Sequence, residues 1–189
     1  MNANVGMQYL VAATVQTYTP GTSISYATGS NFAEAVSASL NWNRADGHFY
    51  ADDAEIDTDN GVLGYTITIE PSGLSDSARG TLLGETVSSS EYTITDAPAP
   101  DVGFGYVRVM RNRGAVSYEA WWFHKVKFGV TNEETRTKEQ TVEWRIPTLE
   151  GQGSGISLDN SGTLKFATHK TFTAMADAKS WLNSKAGIS

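Results

Sequence analysis

Five acidic side chains fall within eight residues, at Asp52, Asp53, Glu55, Asp57 and Asp59. They are the densest set of groups in the chain that could do chemistry. As a calcium loop the run Glu55-x-Asp57-x-Asp59-Asn60-Gly61 places its glycine one position late. Thr66 stands where the bidentate glutamate would be required. As a glycosidase pair, Asp52 and Asp53 are adjacent, and neighbours on a strand point to opposite faces, so they cannot flank one bond. His48, His124 and His169 are far apart in sequence and show no ligand spacing. His124 reads instead as a hydrogen-bonded core or interface histidine. There is no cysteine and no G-x-S-x-G elbow. Gly103-x-Gly105 lacks a third glycine and a following helix. Gly151-x-Gly153-x-Gly155 has no adjacent lysine. The expectation is a protein with no catalytic residues, no metal and no cofactor, in which the acidic run is a solvated loop.

Two aromatic residues are more suggestive. From Val116 to Phe128, even positions (Val116, Tyr118, Ala120, Trp122, Val126, Phe128) are apolar and odd ones mostly polar, which reads as a long strand with one buried face. Trp121 and Phe123 break the alternation and belong to the other face. Three readings follow: a second face covered by a helix or another layer, an interface between subunits, or an aromatic platform for sugar rings.

The elements that would carry these residues are mostly strands. Residues 6–15 read as a strand or extended arm. Val36, Ala38, Leu40 and Trp42 alternate cleanly, as do Leu63, Tyr65, Ile67 and Ile69. Between them the polar, acidic stretch Asn43–Gly61 is two short strands or a long excursion. Leu74–Leu83 reads as a helix capped by Ser75 and closed by Gly84. A strand over 102–111 carries Gly103 and Gly105 on one face, where a neighbour can approach closely. Asn112-Arg113-Gly114 turns it into the 116–128 strand. Val142, Trp144 and Ile146 alternate in a partner strand that stops at Pro147. Gly151–Gly155 is flexible in composition. After a turn at 159–162, Leu164 and Phe166 share a strand face. The C-terminus is an amphipathic helix with Met175, Ala178, Trp181 and Leu182 on one stripe, capped by Thr171 or Thr173. Trp42, Tyr118, Trp122, Phe128 and Trp144 are the expected core aromatics. The fold class is mainly β: an antiparallel sandwich or partial barrel with one flanking helix and a short C-terminal helix.

The chain has 189 residues, which suits one domain with a substantial core. Its net charge is −7 and unevenly spread: residues 1–60 hold seven acidic side chains against Arg44 alone. This sign disfavours tight binding to nucleic-acid phosphates. No apolar run approaches the roughly 20 residues of a membrane span. The N-terminus lacks the pattern of a secretory signal, so function without export is expected.

In order, Gly6-Met-Gln-Tyr9-Leu-Val-Ala12, Phe49-Tyr50-Ala51-Asp52-Asp53, Leu82-Leu83-Gly84, Gly103-Phe-Gly105-Tyr106, Tyr118-x-Ala120-Trp121-x-Phe123-x-Lys125-Val126-Lys127-Phe128 and Ile146-Pro147-Thr148-Leu149-Glu150-Gly151 form a pattern. It resembles the major tail protein, or tail tube, family of long-tailed siphophages. The resemblance spans most of residues 6–151. It implies a fold shared with the tube protein of type VI secretion systems, over one domain of residues 1–189. That domain would have an N-terminal arm (about 1–20), a long acidic loop (about 43–61) and a C-terminal strand plus helix (about 163–185). It implies a structural virion protein whose six-subunit rings stack into a tube, assembled in the host cytoplasm and located in the virion tail. Its partners would be further copies of itself, a tape measure protein and tail-end proteins, with DNA passing through without tight binding and no membrane involved. The self-assembly loop would carry Asp46, Asp52, Asp53, Glu55, Asp57 and Asp59, and Trp121 and Phe123 would be interface aromatics. The alternatives from other classes are a carbohydrate-binding module and a receptor-binding or decoration protein of the same particle.

Overall fold

The computed structural model describes residues 3–51, 54–88, 91–129, 146–159 and 161–188. The strands run β1 (Ala3–Thr19), β2 (Ser23–Tyr26), β3 (Ser30–Ala33), β4 (Ala35–Arg44), β5 (Gly47–Ala51), β6 (Ala54–Asp59) and β7 (Val62–Pro71). Helix α1 (Asp76–Leu83) follows, then β8 (Thr86–Ser88), β9 (Glu91–Thr93), β10 (Asp101–Asn112), β11 (Ala115–Gly129), β12 (Leu149–Gly153), β13 (Ala167–Phe172) and α2 (Met175–Ala186). Nine strands form one antiparallel sheet in the order β2-β1-β10-β11-β12-β7-β4, with β3 added to β1 and β13 to β11. β3 and β4 are nearly continuous, and they pair with β1 and β7 at opposite ends of that order. The sheet therefore bends over on itself into a sandwich-like partial barrel that is not closed.

The interior holds Leu10, Phe32, Tyr65, Ile67, Ile69, Phe104, Tyr106, Phe123, Val126, Phe128 and Leu149, with Ala78 and Leu82 of α1. A second cluster lies on the outer face of β1, β10 and β11, where α2 sets Ala178, Leu182 and Ala186 against Val11, Ala13, Val107, Ala120 and Trp122. The run Leu10-Val-Ala-Ala13 is buried throughout because both faces of β1 are covered. Helix α1 forms as expected: the Ser75 side chain accepts from the Ala78 amide at 3.3 Å, and Gly84 closes it at φ 72°.

Several expectations are corrected. Of the two readings of residues 6–15 the strand is observed: residues 3–14 pair with β10 and 15–19 with β2. Gly151–Gly153 lies inside the sheet between β11 and β7 and is not a flexible link. A Cβ on Gly153 would fall 1.9 Å from the Tyr65 ring, so these glycines let a ring lie flat against the strand. The C-terminal strand starts at Ala167, leaving Leu164 51% exposed. Neither threonine caps α2; Thr171 sits in β13 opposite Glu119, and the N-cap is Ala174. Trp42 and Tyr118 are half-buried at the margins of their clusters. Trp144 and the strand expected around it lie outside the described residues.

Candidate functional site

The alternation along β11 inverts midway. Phe123 pairs with Phe104 and Val126 with Val102, so His124 and Lys125 together oppose Gly103. This extra residue is a β-bulge, and it swaps which parity faces the core. Before it, Ala120 and Trp122 face α2; after it, Val126 and Phe128 join Phe123 in the interior. The covered-second-face reading of the strand is the one observed. Phe123 is fully buried, which corrects its assignment as an interface aromatic. Trp121 is half-buried; its ring stacks on His169 at 4.5 Å and lies under the Arg108 guanidinium at 5.2 Å. Glu119 ties these two partners together, 3.1 Å from His169 Nδ1 and 3.5 Å from Arg108 Nη1. The aromatic pair thus makes no open platform for a sugar ring.

Gly103 and Gly105 do face a close neighbour, as their spacing suggested. A Cβ on Gly103 would be 2.4 Å from the Trp122 indole, and one on Gly105 would be 2.8 Å from Leu182 of α2. The Tyr26 ring meets Trp122 edge-on at 5.2 Å.

The bulge is also where β11 changes partner, from β13 to β12. Two carbonyls there are met from either side: Tyr26 donates to His124 O at 2.9 Å and Tyr65 to Lys125 O at 3.2 Å. Burial pushes the Tyr26 phenol up to about 12 and raises that of Tyr65 as well. His124 Nε2 shares a hydrogen bond with Thr168 Oγ1 at 2.9 Å. Its imidazole is held down to about 4, first by burial and then by repulsion from Lys185 and Lys165. His124 is a structural histidine of the core, consistent with its place in the strand.

The acidic stretch 43–61 is a hairpin. The β4–β7 ladder ends at Arg44 and Val62, and the Ala45 amide then donates to Gly61 O at 2.8 Å. Beyond that, among the described residues β5 and β6 pair only with each other, with Gly47 opposite Asp59, Phe49 opposite Asp57 and Tyr50 opposite Glu55. At about 3.3 Å per residue the hairpin extends the ladder by roughly 15 Å. Asp46 at its base is 93% exposed and lies 3.0 Å from His48 Nε2. Asp52 and Asp53 lie outside the described residues. Among the described residues no three His, Cys, Asp or Glu side chains come together as a metal site would require.

Sequence reading missed a cavity of about 670 Å³ between the end of α1, the 94–99 connector and the ends of β11 and β12. Glu85 lines it with a side chain 2% exposed. Its signal, a lone glutamate directly after a helix-closing glycine, is too common to single out. No family model and no curated protein matches the chain.

Proposed function

We propose that this chain is a self-assembling structural subunit of a phage tail tube, with rings of copies stacking into a conduit for DNA. The observation that carries the reading is the acidic β5–β6 hairpin, which leaves the sheet with no partner strand in its own chain among the described residues. An isolated two-stranded hairpin is marginal in water, so a neighbouring copy is the natural support for it. The ends of a sheet that is not closed favour the same answer, because exposed edges are usually paired, covered or blunted. An acidic surface suits passage of DNA without retention, since it offers no cations to replace phosphate counterions. The tape measure and tail-end partners, and the virion location, belong to this proposal. Among the described residues no helix is long and apolar enough to cross a membrane.

Negative-stain electron microscopy across a concentration series tests the reading: hollow tubes or six-fold rings are expected. Deleting residues 46–59 should leave a folded protein that forms neither. Compact monomers of the intact chain at every concentration would count against the proposal, and normal tubes from the deletion would remove the hairpin from it.

A further inference from the structure

We propose that, with or without assembly, the neck of the β5–β6 hairpin is a site of spontaneous covalent modification, where Asn60 deamidates and Asp46 isomerises through cyclic imides. Asn60-Gly61 is the one Asn-Gly in the chain and Asp46-Gly47 the one Asp-Gly. The fold sets them face to face. The β4–β7 ladder ends at Arg44 opposite Val62, and the β5–β6 ladder begins at Gly47 opposite Asp59. Two residues on each side lie between the ladders, Ala45 and Asp46 against Asn60 and Gly61. Asp46, Gly47, Asn60 and Gly61 are all exposed. The Ala45 amide donates to Gly61 O at 2.8 Å, which keeps the two segments side by side. Glycine after the reacting residue matters because it has no Cβ to obstruct its own nitrogen and reaches backbone conformations closed to other residues.

At Asn60 the Gly61 nitrogen attacks the side-chain Cγ and gives its proton to water, and ammonia leaves as the five-membered ring is completed. At Asp46 the Gly47 nitrogen attacks in the same way and the leaving group is water. His48 Nε2 lies 3.0 Å from Asp46 Oδ1, within reach to hand a proton to the oxygen that departs. Water then opens either ring at one of its two carbonyls. One route gives aspartate. The other gives isoaspartate, in which the main chain runs through the former side chain and gains a methylene. Deamidation of Asn60 adds a further carboxylate to a hairpin that already carries Asp46, Asp52, Asp53, Glu55, Asp57 and Asp59. An isoaspartate on either side lengthens one strand at the neck and not its partner. Strand faces alternate residue by residue, so the added atom turns the faces of the hairpin relative to the sheet it leaves.

Purified folded protein held at neutral pH for several weeks tests the site. Isoaspartyl methyltransferase labels isoaspartate, and peptide mapping locates it together with the mass gain of an amide-to-acid change. Isoaspartate should appear at positions 46 and 60, and the mass gain at 60, ahead of every other Asn and Asp in the chain. N60Q keeps the amide and D46E the charge, but both would need a six-membered ring. Each should lose the signal at its own position and keep it at the other. H48Q should slow isomerisation at Asp46 about tenfold or more and leave position 60 unchanged. Modification spread evenly over the other Asn and Asp residues, or absent from 46 and 60, would overturn the proposal. H48Q matching the wild type would overturn the part given to His48.

Discussion

Acid should weaken this protein in part through His124, beside the bulge in β11, and the size of that part can be worked out. His124 is 6% exposed, bonded to Thr168 and repelled by Lys185 and Lys165 when charged. Its imidazole ionises near 4 in the folded protein against 6.5 in the unfolded chain. Above pH 7 both states are neutral there and His124 contributes no pH dependence. Between 6.5 and 4 the unfolded chain takes up a proton that the folded one refuses, so stability falls as pH falls. The loss is about 2 kcal/mol at pH 5 and approaches about 3 kcal/mol near pH 4. Denaturant unfolding of the wild type and H124Q at pH 7.5, 6.5, 5.5 and 4.5 isolates it, because carboxylate contributions shared by both proteins cancel in the difference. The wild type should lose that extra stability relative to H124Q over this range. Parallel curves would show that the folded protein accommodates the charged ring, and the account of the bulge would be wrong.

Three further outcomes follow from packing. Trp122→Ala should cost about 3–5 kcal/mol in thermal or denaturant unfolding, since it empties the space between the sheet and α2. Gly153→Ala should cost about 1–3 kcal/mol or more, because the new methyl group falls within the Tyr65 ring. Gly6→Ala, with nothing within 4 Å of its Cβ, should change stability by no more than about 0.5 kcal/mol and serves as the control.

Local patterns were legible where a single face or a cap decides structure. In the 63–69 alternation Tyr65, Ile67 and Ile69 are buried as read whereas Leu63 is exposed, and the Ser75 and Gly84 ends of α1 and the close approach at Gly103 and Gly105 appear as read. Parity along β11 was not, because a bulge depends on the partner strand and the sequence shows only the bulged one. The apolar pair Trp121 and Phe123 was the trace it left: a strand apolar on both faces is covered on both. Glycine-rich 151–155 was misread because composition cannot distinguish a free link from a strand pressed by Tyr65 and Phe128. Of the candidate assembly residues, the hairpin's backbone is placed and Asp46 is exposed, whereas the Glu85 cavity depends on elements brought together only by the fold.

The pairing of β1 with β10 sets a timetable for synthesis. Residues 3–14 find their β10 partners at 102–111, so this edge of β1 waits for roughly 90 more residues. At about 5–20 residues per second that is a delay of roughly 5 to 20 s. During it Leu10-Val-Ala-Ala13 has β3, at residues 30–33, as a strand partner on one edge, while the edge meant for β10 stays open to the same segment of a neighbouring nascent chain. A chaperone that shields β1 until β10 emerges would therefore act on the open edge of the sheet.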